Sequence, residues 1–157
     1  MRTIIFEEIT GDKLTVVQEI VHSNKSYNLL ENGRANRTTE ELKEEFLNSI
    51  TKSMFIKLEN NYIGVIDYLE ENPKDGFPWL GLLMIHGDQQ GKGYAKLAFA
   101  KYESELLQTG KSSVRLGVLK GNAKAKQFWE SLGFTYYETK PFKANKEVDC
   151  YQKVILK

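Results

Sequence analysis

The sequence predicts a single mixed α/β domain in which helices pack on the faces of one sheet. Three observations lead there. The chain has 157 residues, enough for one domain with a sizeable core. Apolar residues make up 41% of it and aromatic residues 11%, which suits a folded globular chain and argues against disorder. Segments of strand period and helix period alternate in the order β-α-α-β-β-β-α-β-α-β-β, which a mixed sheet covered by helices satisfies. One domain is expected over residues 1–157, without internal repeats.

Each element has its own signal. Thr3 to Glu8 reads as the first strand, and Leu14, Val17 and Val21 after Asp12 are spaced as a helix. Ser23 to Arg37 is polar apart from Leu29 and Leu30 and is expected to be irregular. Thr38-Thr39-Glu40-Glu41 is a capping-box pattern, with Thr38 placed to accept an N–H and Glu41 to return the bond. Leu42, Phe46 and Ile50 continue one face of that helix. Met54–Leu58 and Tyr62–Leu69 predict a hairpin, and Glu70 to Pro78, with Asn72-Pro73 and Asp75-Gly76, predicts a loop. Trp79 to Ile85 is a nearly continuous apolar run, as in a strand buried on both faces.

A glycine-rich stretch, His86 to Gly93, leads into an amphipathic helix marked by Ala95, Ala98, Phe99, Tyr102 and Leu106. Val114, Leu116 and Val118 alternate as a strand. Ala125, Phe128, Trp129 and Leu132 mark a last helix, which Gly133 is placed to end. Phe134–Glu138 and Val148–Leu156 close the chain as strands, turning through Pro141 to Lys146.

Composition narrows the partners. A net charge of +1 gives no reason to expect nucleic acid. No apolar run approaches the roughly 20 residues that cross a bilayer, and Met1 to Glu8 does not read as a signal peptide. Cys150 is the single cysteine, so no internal disulfide forms and a cytoplasmic location is expected. Two histidines and one cysteine provide no metal-site spacing. Residues 1–78 hold 9 Lys/Arg against 14 Asp/Glu, and residues 79–157 hold 13 against 7. That asymmetry suits an anionic ligand on the second half and a cationic one on the first, or is chance on solvated faces.

The chemical signal is Gln90-Gly91-Lys92-Gly93-Tyr94-Ala95, between the buried strand and the amphipathic helix. Glycines let the backbone turn sharply and approach a ligand. A helix N-terminus presents unpaired N–H groups and a partial positive charge, so the pair can cradle a diphosphate. The same six residues also serve as a tight strand-to-helix turn that binds nothing. They lack the third glycine of a dinucleotide fingerprint and the Gly-Lys-Ser/Thr of a P-loop.

Gln90, Gly93 and Ala95 fill the fixed positions of the Gln/Arg-x-x-Gly-x-Gly/Ala signature, and the stretch resembles that of the GNAT superfamily of N-acetyltransferases. Asn122-x-x-Ala125-x-x-Phe128-Trp129-Glu130-x-Leu132-Gly133-Phe134 is similar to the family's second motif, Asn-x-x-Ala-x-x-Phe-Tyr-Glu-x-x-Gly-Phe. The resemblance covers the element order over nearly the whole chain. It implies a sheet with splayed central strands and acetyl-CoA as co-substrate. It places the pyrophosphate on the N–H groups of Gln90, Gly91, Lys92, Gly93, Tyr94 and Ala95. It lays the pantetheine arm along Leu83, Met84 and Ile85, with the Ile85 N–H as oxyanion donor and Asn122, Ala125 and Phe128 near the arm. The side chains of Leu83 and Phe128 read first as core by type, and Asn122 equally as the N-cap of the last helix.

One departure stands out. Where many members carry a tyrosine as general acid, this chain has Trp129, whose indole does not titrate usefully. Tyr136, Tyr137 or water could replace it. Asp67, Glu70, Glu71 and His86 lie where an acceptor could approach, and Glu70 and His86 are the candidate bases, beside a water relay. The implied reaction is acetyl transfer to a primary amine of a small molecule or protein. The acidic first half would suit a cationic acceptor, lying between Asn24–Arg37 and Glu70–Phe77. The alternative is a non-catalytic module that binds CoA or senses acetyl-CoA. A monomer and a homodimer both remain open.

Overall fold

The strands set the frame. In the computed structural model, which describes residues 3–143 and 145–156, they are β1 (Ile4–Glu8), β2 (Lys52–Leu58), β3 (Asn61–Leu69), β4 (Trp79–Ile85), β5 (Ser113–Leu119), β6 (Thr135–Pro141) and β7 (Glu147–Val154). Met1 and Arg2 of the expected N-terminal reading, Ala144 of the expected turn, and Lys157 lie outside the described residues. The strands form one sheet in the order β1-β2-β3-β4-β5-β7-β6. Every neighbouring pair is antiparallel except β4 and β5. The helices are α1 (Leu14–His22), α2 (Lys25–Asn32), α3 (Thr39–Phe46), α4 (Tyr94–Gln108) and α5 (Ala123–Ser131).

Each sheet face has its own core. Val17, Val21, Leu42 and Phe46 of α1 and α3 pack on Phe55, Val65 and Met84. Phe99, Tyr102 and Trp129 of α4 and α5 pack on Ile66, Ile85 and Leu116 of the other face. Adjacent residues of β4 thus serve opposite cores, which is why its sequence is apolar without alternation. Burying each such side chain contributes about 1.5–3 kcal/mol. The capping box forms as predicted: Glu41 N–H donates to Thr38 Oγ1 at 3.1 Å and Thr38 N–H to Glu41 Oε1 at 2.8 Å.

Two sequence expectations are corrected. The segment expected to be irregular contains α2, eight residues long. Its apolar content is thin, but Asn28 is fully buried, donating to the carbonyls of Val21 at 2.9 Å and Ala35 at 2.8 Å. Gly33, at φ 74°, ends it in the left-handed conformation that glycine tolerates. Conversely α3 stops at Phe46, short of Ile50. Asn48 Oδ1 accepts the N–H groups of Ile50 and Thr51, both at 2.8 Å, and turns the chain away, leaving Ile50 75% exposed. Strand ends also shift by a few residues, with Pro141 closing β6 rather than opening the turn.

The feature that positions the site is the joint between β4 and β5. They pair only at Trp79↔Arg115 and Leu80↔Leu116. Beyond that point β5 continues with β7 along its whole length, and β4 continues with β3. The register of β3 against β4 passes from Asp67↔Leu82 to Tyr68↔Leu80, so Gly81 is an extra residue in β4. Such a bulge bends its strand and increases the local twist, and it lies where the parallel pairing ends. A Cβ at residue 81 would meet the Asp67 carbonyl oxygen at 3.3 Å, so the bulge favours glycine. Among the described residues, no helix is long and apolar enough to cross a membrane.

Candidate active site

The open flank of β4 follows from ladder geometry. In an antiparallel pair, alternate residues direct their N–H and C=O toward the partner strand and the others direct both away. The His86 N–H bonds the Ile63 carbonyl at 2.8 Å, on the β3 side. With the register running unbroken from Gly64↔Ile85 to Asp67↔Leu82, the backbone groups of Leu83 and Ile85 therefore face β5. β5 supplies no partner there, because its pairing with β4 ended at Leu80. The Ile85 carbonyl is satisfied by side chains instead: Asn24 Nδ2 at 3.1 Å and Gln90 Nε2 at 2.9 Å.

The glycine turn stands at the end of this flank. Gln90 is extended, at φ −73° and ψ 159°, and Gly91 follows at φ 78°, in the left-handed region that favours glycine. Gly93 has φ 84° and is the N-cap residue of α4. No atom lies within 4 Å of a Cβ built at either glycine, so backbone conformation, not crowding, asks for glycine there. The first helical bond of α4 runs from the Leu97 N–H to the Gly93 carbonyl at 3.2 Å. The N–H groups of Ala95 and Lys96 therefore open the helix without a helical acceptor. Lys92 and Lys96 are exposed beside them, while the Tyr94 side chain is buried in the core.

The second motif lies on α5. Asn122 caps it, its Oδ1 accepting the Ala125 N–H at 3.1 Å. Ala125 and Phe128 are half-buried against the core shared by α4 and α5, and so is Leu83. Trp129 is 8% exposed and meets Phe99, Phe128 and Phe134 edge-on. It is a packing residue in an aromatic cluster.

The candidate proton carriers do not converge. His86 Nδ1 accepts the Asp88 N–H at 3.0 Å and Nε2 lies 3.4 Å from Glu19, so both nitrogens are engaged. That ring borders a surface cleft of about 520 Å³ lined by Glu19, Glu59 and Tyr62, on the β3 flank rather than the open one. Glu70 is exposed and pairs with Lys52. Asp67 is buried in the sheet: it is 6% exposed, accepts from Ser53 Oγ at 3.0 Å, and burial raises its pKa to about 6. Tyr137 lies against Arg115, its hydroxyl buried without a hydrogen-bond partner among the described residues. Burial pushes it up to about 12. Tyr136 is exposed and bonds Thr139 at 2.8 Å, and burial raises the Cys150 thiol.

The flanking segments are tied down by charge. Lys143, after β6, reaches Glu31 of α2 at 3.1 Å. Arg115 of β5 holds Asp75 at 3.2 Å, its guanidinium 3.8 Å from the centre of the Phe77 ring. Lys111 pairs with Glu71 at 3.7 Å. These three pairs join the acidic first half of the chain to the basic second half, so part of the charge asymmetry holds the fold together. Among the described residues, no group of three or more His, Cys, Asp or Glu side chains is gathered to hold a metal ion.

The family described as Acetyltransferase (GNAT) matches residues 18–134, which include β4, the glycine turn and α5. The chain belongs to the GNAT acetyltransferase family. The fold is shared with an acetyltransferase from Thermus thermophilus, at 22% identity and TM-score 0.81, covering 97% of each chain. It is also similar to the ribosomal-protein-S18-alanine N-acetyltransferase from Escherichia coli, at 15% identity and TM-score 0.74, covering 100% of this chain and 96% of that one. A spermidine N-acetyltransferase from Vibrio cholerae, solved with CoA and spermine, superposes at 16% identity and TM-score 0.73, covering 96% and 95%. No curated protein sequence matches the chain.

The glycine turn and the second motif lie where the sequence puts them, before α4 and on α5, but the bulge at Gly81, the burial of Asp67 and the contacts of Asn24 do not follow from those motifs. Gly81 is legible in principle, since a glycine inside a strand pattern signals a bulge. Asp67 stands near Glu70 in the sequence with nothing local to mark its burial. The role of Asn24 has no local signal, because the two partners that define it lie 61 and 66 residues away.

Proposed function

We propose that the chain transfers an acetyl group from acetyl-CoA to a primary amine of a small molecule or a protein, by direct attack through a tetrahedral intermediate. The observation that carries this reading is the unpaired flank of β4 running into a glycine turn that opens a helix. The Gln90 N–H, expected in the cradle, is instead bonded to the Gly87 carbonyl at 3.5 Å, where it closes the short helical turn before the glycines. In this reading the backbone N–H groups from Gly91 to Ala95 hold the pyrophosphate, with Lys92 adding charge. The arm lies along Leu83, Met84 and Ile85, between β4 and β5. Ala125 and Phe128 flank it, and the Asn122 amide nitrogen, unlike its oxygen, is available to bond it. The structures of related folds agree with an amine acceptor: one is named for a protein alanine, the other was solved with CoA and spermine.

The Ile85 N–H is the assigned oxyanion donor, a fixed dipole aimed at the charge that develops on the carbonyl oxygen. Positioning of amine and thioester supplies much of the remaining acceleration. Neutralising a lysine-like ammonium of pKa ~10.4 costs ~4.6 kcal/mol at pH 7. We assign that proton to water, since His86 and Glu70 are engaged elsewhere. A thiolate of pKa ~8.5 departs at a cost of only ~2 kcal/mol at pH 7, so a dedicated acid is the smaller need. Tyr137, with its hydroxyl buried beside Arg115 and its pKa raised, does not serve as that acid in this reading, and water takes the role.

The test is a titration with CoA beside a thiol-release assay with acetyl-CoA over a panel of amines. Saturable binding and amine-dependent thiol release are expected. Binding without release for every amine would replace the enzyme with a CoA-binding module, and no binding would remove both.

A further inference from the structure

A strand that parts from its neighbour leaves carbonyl oxygens as well as N–H groups unpaired. A buried carbonyl without a donor costs as much as a lost hydrogen bond. At the end of β4 this cost is avoided by two side-chain amides. We propose that Asn24, at the junction of α1 and α2, is a positioning residue for acetyl-CoA: with Gln90 it replaces β5 as partner of the Ile85 carbonyl and so holds the Ile85 N–H turned into the gap. This role rests on the function proposed above and adds a residue outside the two motifs.

The contacts form a closed set. Gln90 Nε2 donates to the Ile85 carbonyl at 2.9 Å and to Asn24 Oδ1 at 2.7 Å. Asn24 Nδ2 donates to the Ile85 carbonyl at 3.1 Å and the Ile20 carbonyl at 3.0 Å. Two carbonyls facing one nitrogen decide which way round the Asn24 amide sits. Ser23 adds a second tie, its Oγ accepting the Gly87 N–H at 2.9 Å. The α1 end lies so close to this loop that a Cβ at residue 87 would meet the Ser23 carbonyl oxygen at 2.8 Å.

The consequence is mechanical. One residue carries both the pinned carbonyl and the N–H that faces the gap. Gln90 also begins the glycine turn, so a single amide pair fixes the strand end and the turn relative to each other. Loss of Asn24 releases one of the two donors on Ile85 and the acceptor that orients Gln90.

The experiment measures CoA binding by calorimetry, with no amine present, for the wild type, Asn24→Ala, Asn24→Asp, Gln90→Ala and the double variant Asn24→Ala/Gln90→Ala. Asn24→Ala is expected to weaken CoA about tenfold. Asn24→Asp, nearly isosteric, keeps an acceptor for Gln90 but sets an oxygen against the Ile85 carbonyl, and is expected to weaken it further. The double variant is expected within about twofold of Gln90→Ala, because the two amides act as one unit. Should Asn24→Ala fail to fold, Asn24→Asp carries the test. Unchanged affinity in the Asn24 variants, or losses that multiply in the double variant, would overturn the role. A wild type that binds no CoA removes this role together with the proposed function, whereas wild-type binding with unaffected variants removes this role alone.

Discussion

β4 has two flanks, and they are treated in opposite ways. Toward β3 it makes six residue pairs and toward β5 only two, at its first residues. The same apolar heptapeptide thus serves stability on one side and leaves polar backbone groups open on the other. The difference teaches how a sheet can carry a binding gap without coming apart. The bulge at Gly81 turns the strand, the β3 ladder holds it, and side-chain amides satisfy the carbonyl stranded at its end. Damage to the two flanks should therefore be separable, stability failing on one and ligand affinity on the other.

The largest expected effect is on the closed flank. A Cβ at Gly64 would lie 2.4 Å from the Met84 carbonyl oxygen, a backbone atom that cannot step aside. Gly64→Val should destabilise the chain by about 3 kcal/mol or more, read by urea unfolding. Next, Gly93→Val places a branched side chain at φ 84° on the open flank. CoA affinity should fall by about a hundredfold, while unfolding stability drops by only about 1–2 kcal/mol. A loss of stability as large as that of Gly64→Val would erase the distinction between the flanks.

Asp67, paired with Leu82 on the closed flank, gives a pH-dependent version of the same contrast. Burial raises its pKa from 3.8 to about 6 in the folded chain. The folded state therefore binds this proton more tightly than the unfolded one. The resulting stability is full below the unfolded value and lost as pH rises through about 6. At pH 7 the buried carboxylate is a penalty on the order of 3 kcal/mol. Asp67→Asn should be more stable than wild type at pH 7, with the difference closing from about pH 6 down to about pH 4. A difference that is constant with pH would remove burial of the charge as its cause.

The smallest effect belongs to Trp129→Tyr. Because Trp129 packs against Phe99, Phe128 and Phe134, the new hydroxyl would begin in an aromatic cluster. Stability should fall by about 1 kcal/mol and thiol release should stay within about twofold. A large rise in turnover would show that a missing acid limits the reaction.

Much of this architecture is legible in local patterns. The Thr38 capping box, the β2–β3 hairpin and the glycine turn before α4 depend on residues a few positions apart, so propensity and spacing suffice. α2 is not legible, because its apolar content is thin and the buried Asn28, tied to Val21 and Ala35, seats it through contacts that no local pattern marks. The site divides the same way. Motif residues follow from spacing, whereas Asn24 and the burial of Asp67 arise from contacts between distant elements. His86 and Glu70 are candidates by position along the chain, which cannot show that Asp88, Glu19 and Lys52 engage them.

Amide hydrogen exchange, read residue by residue with and without CoA, tests the central claim most directly. At the end of β4 the N–H groups of Met84 and His86 face β3 and should exchange slowly in both states. Those of Leu83 and Ile85 face the gap and should exchange fast in the free chain and slow once CoA is bound. Equal protection of Ile85 and Met84 in the free chain, or no change at Ile85 on adding CoA, would contradict the account.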